Sequence, residues 1–186
     1  MNLIEEISIY IPGDEVEKSD KEAFLQFLSA FGTQAYDRQN LVGHITATAW
    51  VTNAARNKVL MCFHNLYQVW TLPGGHSDGN VNLAQVAVNE VREETGLTNL
   101  KINEKILGLS ALCVNRHLKR GKIVPAHMHY DVQYLIEADE TENLTVAPLE
   151  NSNVKWIEND EMIALSREEH LIPTYHRIME KLQRIE

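Results

Sequence analysis

Apolar residues recur along the chain with two different periods. From Ser19 to Phe31, Phe24, Phe27, Leu28 and Phe31 come back at helical spacing behind a Ser19–Glu22 capping box, and Gly32 follows, so this segment is predicted to be an amphipathic helix. His44 to Val51 alternates instead and is rich in β-branched residues, Asn53 to Asn57 reads as a turn, and Lys58 to Phe63 reads as the hairpin partner. The turn-rich loop PGGHSDGN, Pro73 to Asn80, leads into a second helix that Gly96 stops. In that helix Leu83, Val86 and Ala87 share a face with Glu90, Glu93 and Glu94, while Ala84, Val88 and Val91 lie opposite. Its start is therefore apolar on both sides, as in a helix wedged into a core. Strands are expected at Leu107–Val114 and His129–Ala138 around the basic loop NRHLKRGK, and a shorter one at Val154–Ile157. A Ser166–Glu169 capping box and a last helix close the chain, with Pro173 in the first turn and Tyr175, Ile178, Met179, Leu182 and Ile185 along it. The order is mixed α and β, with strands on both sides of one central helix.

Composition narrows this picture. At 186 residues and 44% hydrophobic content the chain can bury one good core, which favours a single globular unit. A formal net charge of −9 argues against work by general attraction to nucleic acid or anionic lipid. No apolar run approaches the ~18 residues of a membrane span, and the N-terminus carries acids where a signal peptide carries bases. A cytoplasmic location is the expectation. Cys62 and Cys113 sit in apolar, strand-like runs and are expected to be buried, reduced thiols.

The chemistry concentrates in the second helix. Glu90, Glu93 and Glu94 stand at i, i+3 and i+4, a spacing at which like charges repel by roughly 0.2–0.5 kcal/mol per pair. They also crowd the helix C-terminus, where the dipole disfavours each anion by a further ~0.3–1 kcal/mol. Such a cluster needs a cation.

Gly75, Glu90, Val91, Glu93, Glu94, Gly96 and Leu97 have the order and spacing of the signature of the MutT-like Nudix hydrolases, and the stretch EVREETGL resembles its second half. Val81 stands where that signature has its first glutamate and Asn89 where it has arginine. Those two side chains are expected to pair in the family. Their joint loss orphans no charge, so the packing of loop on helix is expected to survive with an apolar substitute, at some cost in efficiency. GHITATAWV and WTLPGGHSDGN are similar to a Nudix subgroup with histidine-bearing loops, here with a degenerate box. The resemblance covers Leu41 to about Leu165. It implies an α+β fold, the Nudix α/β/α sandwich, with a mixed sheet and the signature helix packed against it. Residues 41–186 would form that domain, C-terminal helix included, and residues 1–40 a helical N-terminal extension.

The resemblance also implies an activity: hydrolysis of a diphosphate linked to a group X, by attack of water at phosphorus. Mg²⁺, or Mn²⁺ in its place, suits carboxylate oxygen and bridges phosphates. Glu90 and Glu94 are the first ligand candidates, Glu93 the next, and the Gly75 carbonyl completes the set. Glu150, shortly before Trp156, has the location of a family general base, with Glu93 or Glu90 as alternatives. The implied partner is a nucleotide or other small diphosphate, with neither nucleic acid nor membrane, and a homodimer stays open. Because of Val81 and Asn89, a weakened domain that binds or senses nucleotides is the competing reading. A Nudix isomerase would need a cysteine–glutamate pair that the sequence does not locate.

His127, His129 and Asp131 alternate, so they share one face of a strand, and His76 follows the glycines. Substrate contact, ordinary packing and a transition metal such as zinc all stay open for them. Arg116, His117, Lys119 and Arg120 lie on the basic loop, where they would meet phosphate or simply solvent.

Overall fold

A computed structural model describes every residue except Arg120, Glu168 and Glu186; Arg120, one of the basic-loop candidates, thus lies outside the described residues. The strands are β1 (Gly43–Thr52), β2 (Lys58–His64), β3 (Val69–Thr71), β4 (Gly74–His76), β5 (Leu100–Val114), β6 (His117–Lys119), β7 (Lys122–Val124), β8 (His127–Ala138) and β9 (Asn151–Glu158). The helices are α1 (Leu3–Ile9), α2 (Glu15–Phe31), α3 (Leu83–Thr95), α4 (Asn159–Ser166) and α5 (Ile172–Leu182). All strands except β6 and β7 form one mixed sheet, in which β1 runs parallel to β8 from Gly43–Met128 to Thr52–Glu137.

Alternation along β1 divides the core in two. Ile45, Ala47, Ala49 and Val51 face α1, α2 and α3 together with Leu83, Val86, Ala87 and Val91. Trp50 points the other way and packs with Met162, Tyr175 and Ile178 from α4 and α5. The result is helices on both faces of the sheet, the α+β sandwich that the resemblance implies.

The expected hairpin of β1 and β2 closes only at its turn, where Thr52 meets Val59. Beyond that point the strands part, and β4 enters the gap to pair with β1 at Thr46–His76, Ala47–Gly75 and Thr48–Gly74. Here β2 pairs instead with β9 and β3. The loop PGGHSDGN is therefore partly strand, and its glycines lie close to backbone and to the signature helix. A Cβ on Gly74 would lie 2.8 Å from the Ala47 carbonyl oxygen, and one on Gly75 would lie 2.3 Å from a Glu90 carboxylate oxygen.

Other elements differ from their sequence patterns for local reasons. α2 starts four residues before Ser19, because the Asp14 carboxylate accepts from the Glu17 N–H at 2.8 Å and caps it; the Ser19–Glu22 box lies inside the helix. α1, unforeseen, has its own capping box of Asn2 and Glu5 and buries Leu3 and Ile7. Ser166 ends α4 rather than starting a helix, its hydroxyl donating to the Ile163 carbonyl. β5 begins at Leu100, and irregular register between Asn103 and Gly108 hides its alternation. The basic loop folds as a two-stranded ribbon of β6 and β7. Cys62 is buried as expected, but Cys113 is exposed, on the part of β5 that runs toward the ribbon; both thiols are free. No helix among the described residues is long and apolar enough to cross a membrane.

Candidate active site

α3 delivers its acids to the gap between β1 and β2. Asn82 caps its start by accepting from the Gln85 N–H, and Gly96 ends it in the left-handed conformation at φ 76°. Leu83, Val86, Ala87 and Val91 anchor it against the sheet, so Glu90 and Glu94 are held on rigid backbone. Glu90 lies against Gly75. Glu94 is 6% exposed and accepts hydrogen bonds from the Gly74 N–H and the Cys62 thiol. Glu93 faces solvent.

The electrostatics are those of acids without a partner cation. Burial, then the charges of Glu93 and Glu150, push Glu90 up to about 7, with Arg38 opposing weakly. Burial, then Glu90 and Glu150, push Glu94 up to about 8. Among the described residues neither carboxylate has a salt bridge. Glu150 is exposed just ahead of β9, and its charge adds to the upward push on both acids. The structure thus gathers Glu90 and Glu94 at the glycines Gly74 and Gly75, with Glu93 on the solvent side of the same turn, while Glu150 acts on both acids through its charge. The Cys62–Glu94 pair is a cysteine and a glutamate in contact, but Cys62 is fully buried and burial drives its thiol pKa far up, so it acts as a hydrogen-bond donor.

Val81 and Asn89 take no part in the expected loop packing. Val81 is 67% exposed, and Asn89 accepts from the Gln85 side chain at 2.9 Å on its own helix. The loop is braced from elsewhere. The Tyr36 carbonyl accepts from the Gly79 N–H at 2.8 Å and the Ser77 hydroxyl at 2.9 Å, and Arg38 forms a two-pronged ion pair with Asp78. Residues at the end of the N-terminal segment therefore hold this loop in place. A lone arginine in the polar run YDRQN gave no sign of this.

The histidines form a second group. His127 and His129 approach through their Nε2 atoms at 3.2 Å, and one ligand atom each from His44, His127 and His129 lies within 4.8 Å of the others. His44 lies in the stretch GHITATAWV, where the pattern marks it only as the start of a strand; parallel pairing sets it opposite His129. Its ring is buried, and burial pulls its pKa down to about 4, so it is neutral at physiological pH. His76 stands beside it, centroid to centroid 4.8 Å. Asp131 continues the face of His127 and His129 but is buried, one oxygen accepting from Thr46 at 2.8 Å and Thr48 at 2.9 Å. Arg116 is exposed at the root of the ribbon, and His117 comes within 6.1 Å of His127.

A family model described as NUDIX domain matches residues 43–178. The chain belongs to the Nudix family. It is 31% identical over 110 residues to the m7GpppN-mRNA hydrolase NUDT17 of Xenopus laevis, a match that takes in 56% of this chain and 36% of that protein. The chain thus spans little more than a third of that relative. Its fold is similar to a C. elegans Ap4A hydrolase in a binary complex, with a TM-score of 0.58 and 20% identity over 76% of this chain and 98% of the other. It is also similar to the E. coli dihydroneopterin triphosphate pyrophosphohydrolase, with a TM-score of 0.57 and 15% identity over 76% and 96%. At these identities the two structures speak for the fold.

Proposed function

We propose that this chain hydrolyses the diphosphate linkage of a nucleoside diphosphate-X type substrate, with Mg²⁺ or Mn²⁺ as cofactor. The observation that carries this reading is the pair Glu90 and Glu94, raised to about 7 and 8 beside a glycine backbone and with no salt bridge among the described residues. Two partly desolvated carboxylates that repel each other suit a hard divalent cation, and Glu93 and the Gly75 carbonyl complete the proposed oxygen set. When bound, such a cation supplies the positive charge that lets a diphosphate approach and that stabilises the departing phosphate.

The remaining roles belong to the chain. Glu150 is the proposed acceptor of the proton from the attacking water, and Glu93 is the alternative. Arg116, on the solvent side of the ribbon, is the proposed contact for an outer phosphate. Residues 41–186 are proposed to carry the domain, and residues 1–40 to serve it as an extension whose end braces the signature loop. That brace supports hydrolysis over the binding-module reading, which rests on Val81 and Asn89, because the loop keeps its anchor without them.

A phosphate-release screen over nucleoside di- and triphosphates, sugar nucleotides and dinucleoside polyphosphates, with Mg²⁺ or Mn²⁺, tests the proposal. Metal-dependent release is expected for at least one class. Tight binding without turnover across the panel would make the chain a sensing module instead.

A further inference from the structure

Four of the eight histidines converge on one spot of the sheet, from three strands that meet there: His44 on β1, His76 on β4, and His127 and His129 on β8. Alternation sets His44 on the face of β1 opposite to that of Ile45, which packs with α3, so this group and the glutamates lie on opposite faces of the sheet. The two groups join through adjacent residues, since Gly75 meets Glu90 and His76 follows it.

The geometry has the dimensions of nitrogen coordination. Two imidazoles on one tetrahedral zinc, at Zn–N of about 2.0–2.1 Å, hold their donor nitrogens about 3.3 Å apart and their ring centroids about 5 Å apart. The Nε2 atoms of His127 and His129 are 3.2 Å apart. His44 lies at 4.8 Å, centroid to centroid, from each of His76, His127 and His129. The His127–His129 and His76–His129 centroids are 5.0 and 5.1 Å apart.

The rings of His127 and His44 are turned for ligation. His127 directs Nδ1 at the Pro125 carbonyl at 2.9 Å, and His44 directs Nδ1 at the Asn40 carbonyl at 3.4 Å. Protonation at Nδ1 leaves a lone pair on Nε2, the arrangement in which backbone carbonyls orient metal-binding histidines. His44 Nε2 is buried and has no hydrogen-bond partner among the described residues, a costly state for a polar atom unless something accepts its lone pair. Asp131, next along the face, is already engaged by Thr46 and Thr48, so the donors are nitrogen.

We propose that His44, His127 and His129 bind a Zn²⁺ ion through Nε2, with His76 at the fourth position, in a site separate from the glutamates. All-nitrogen donors select zinc and its transition-metal neighbours over Mg²⁺. The bound ion ties β4 to β1 and β8 and so fixes the strand that carries Gly75.

The test uses the full chain, stripped with a chelator and titrated with Zn²⁺ or Co²⁺ in excess Mg²⁺. One equivalent of Zn²⁺ is expected per chain, and Co²⁺ is expected to give the intense visible absorption of tetrahedral coordination. The His127→Asn/His129→Asn variant should fall to background uptake, while Glu90→Gln/Glu94→Gln keeps its zinc. Zinc retained by the histidine variant, or no stoichiometric uptake by the wild type, overturns the proposal. If the histidine variant does not fold, the wild-type spectrum decides: weak octahedral absorption, or X-ray absorption at the zinc edge without imidazole scattering, overturns it as well.

Discussion

Glu17 and Glu94 are both buried acids, and their surroundings treat them in opposite ways. Glu17, fully buried near the start of α2, accepts from the Tyr10 hydroxyl and the Gly13 N–H at 2.6 Å, the Lys181 ammonium at 2.9 Å and the Leu109 N–H at 3.1 Å. Arg177 stands 3.5 Å away. Burial alone would raise its pKa, but the hydrogen bonds from Tyr10, Gly13 and Lys181 more than reverse that and hold it below the usual range. Glu94 has a thiol and one N–H for donors, and burial, then the charges of Glu90 and Glu150, drive it up to about 8. The first acid is satisfied by the chain and joins α2 to β5 and α5. The second is left with an unmet demand for positive charge, which is what a cation site requires before its ion arrives.

The largest effect expected is on rate. Glu94→Gln keeps the shape and removes a repelling charge, so the metal-free protein should melt no lower than wild type. If Glu94 holds the proposed cation, turnover should fall roughly 10³-fold, since a lost cation site removes several kcal/mol of transition-state stabilisation. Wild-type turnover in this variant would erase the contrast with Glu17.

Glu150→Gln sharpens the contrast from outside the helix. If Glu150 is the base, turnover drops by ~10²-fold or more with a changed pH profile. The same change removes a charge that raises Glu90 and Glu94, so both should titrate lower when followed by carboxyl NMR.

Glu17→Ala reads the other side of the comparison, in stability. It strands Lys181 and Arg177 beside a desolvated hole, and removing one partner of a buried ion cluster costs about 3–5 kcal/mol. Denaturant melts that place it within 1 kcal/mol of wild type, on the order of an exposed ion pair, would make Glu17 no different in kind from a surface acid.

The two regions should also pull stability in opposite directions with pH. The folded values of Glu90 and Glu94 lie above their ordinary 4.5, so their ionisation costs the folded state. Metal-free stability should therefore fall as pH rises from that value through 7 to 8, and saturating Mg²⁺ should flatten the fall. The depressed Glu17 contributes stability that is present above its ordinary 4.5 and lost as pH falls through its lower folded value. Urea melts across this range, with and without Mg²⁺, check both signs.

The smallest effect belongs to the brace. Arg38 and Asp78 are about half exposed, so Arg38→Ala should cost about 0–1 kcal/mol of global stability. Faster hydrogen exchange confined to residues 77–82 would show the loop loosening. Unchanged exchange there would remove Arg38 from the support of the site.

Local pattern was enough for α3. Helical spacing placed Glu90, Glu93 and Glu94 on one turn and Gly96 at its end, and strand alternation put His127, His129 and Asp131 on one face, because both periods follow from backbone geometry within a few residues. The short strands β3 and β4 left no such trace, since three residues are too few to show a period. Which acid would be satisfied was equally illegible, as Glu17 and Glu94 differ in partners drawn from α5, β5 and the glycine strand rather than in their neighbours along the chain. His44 and His76 joined His127 and His129 only through the pairing of β1 with β4 and β8, and Arg38 met the signature loop only through the path of the chain before β1. Side-chain spacing along one element is decided by that element's own backbone; contact between elements is decided by which faces bury together, and only the folded chain makes that choice.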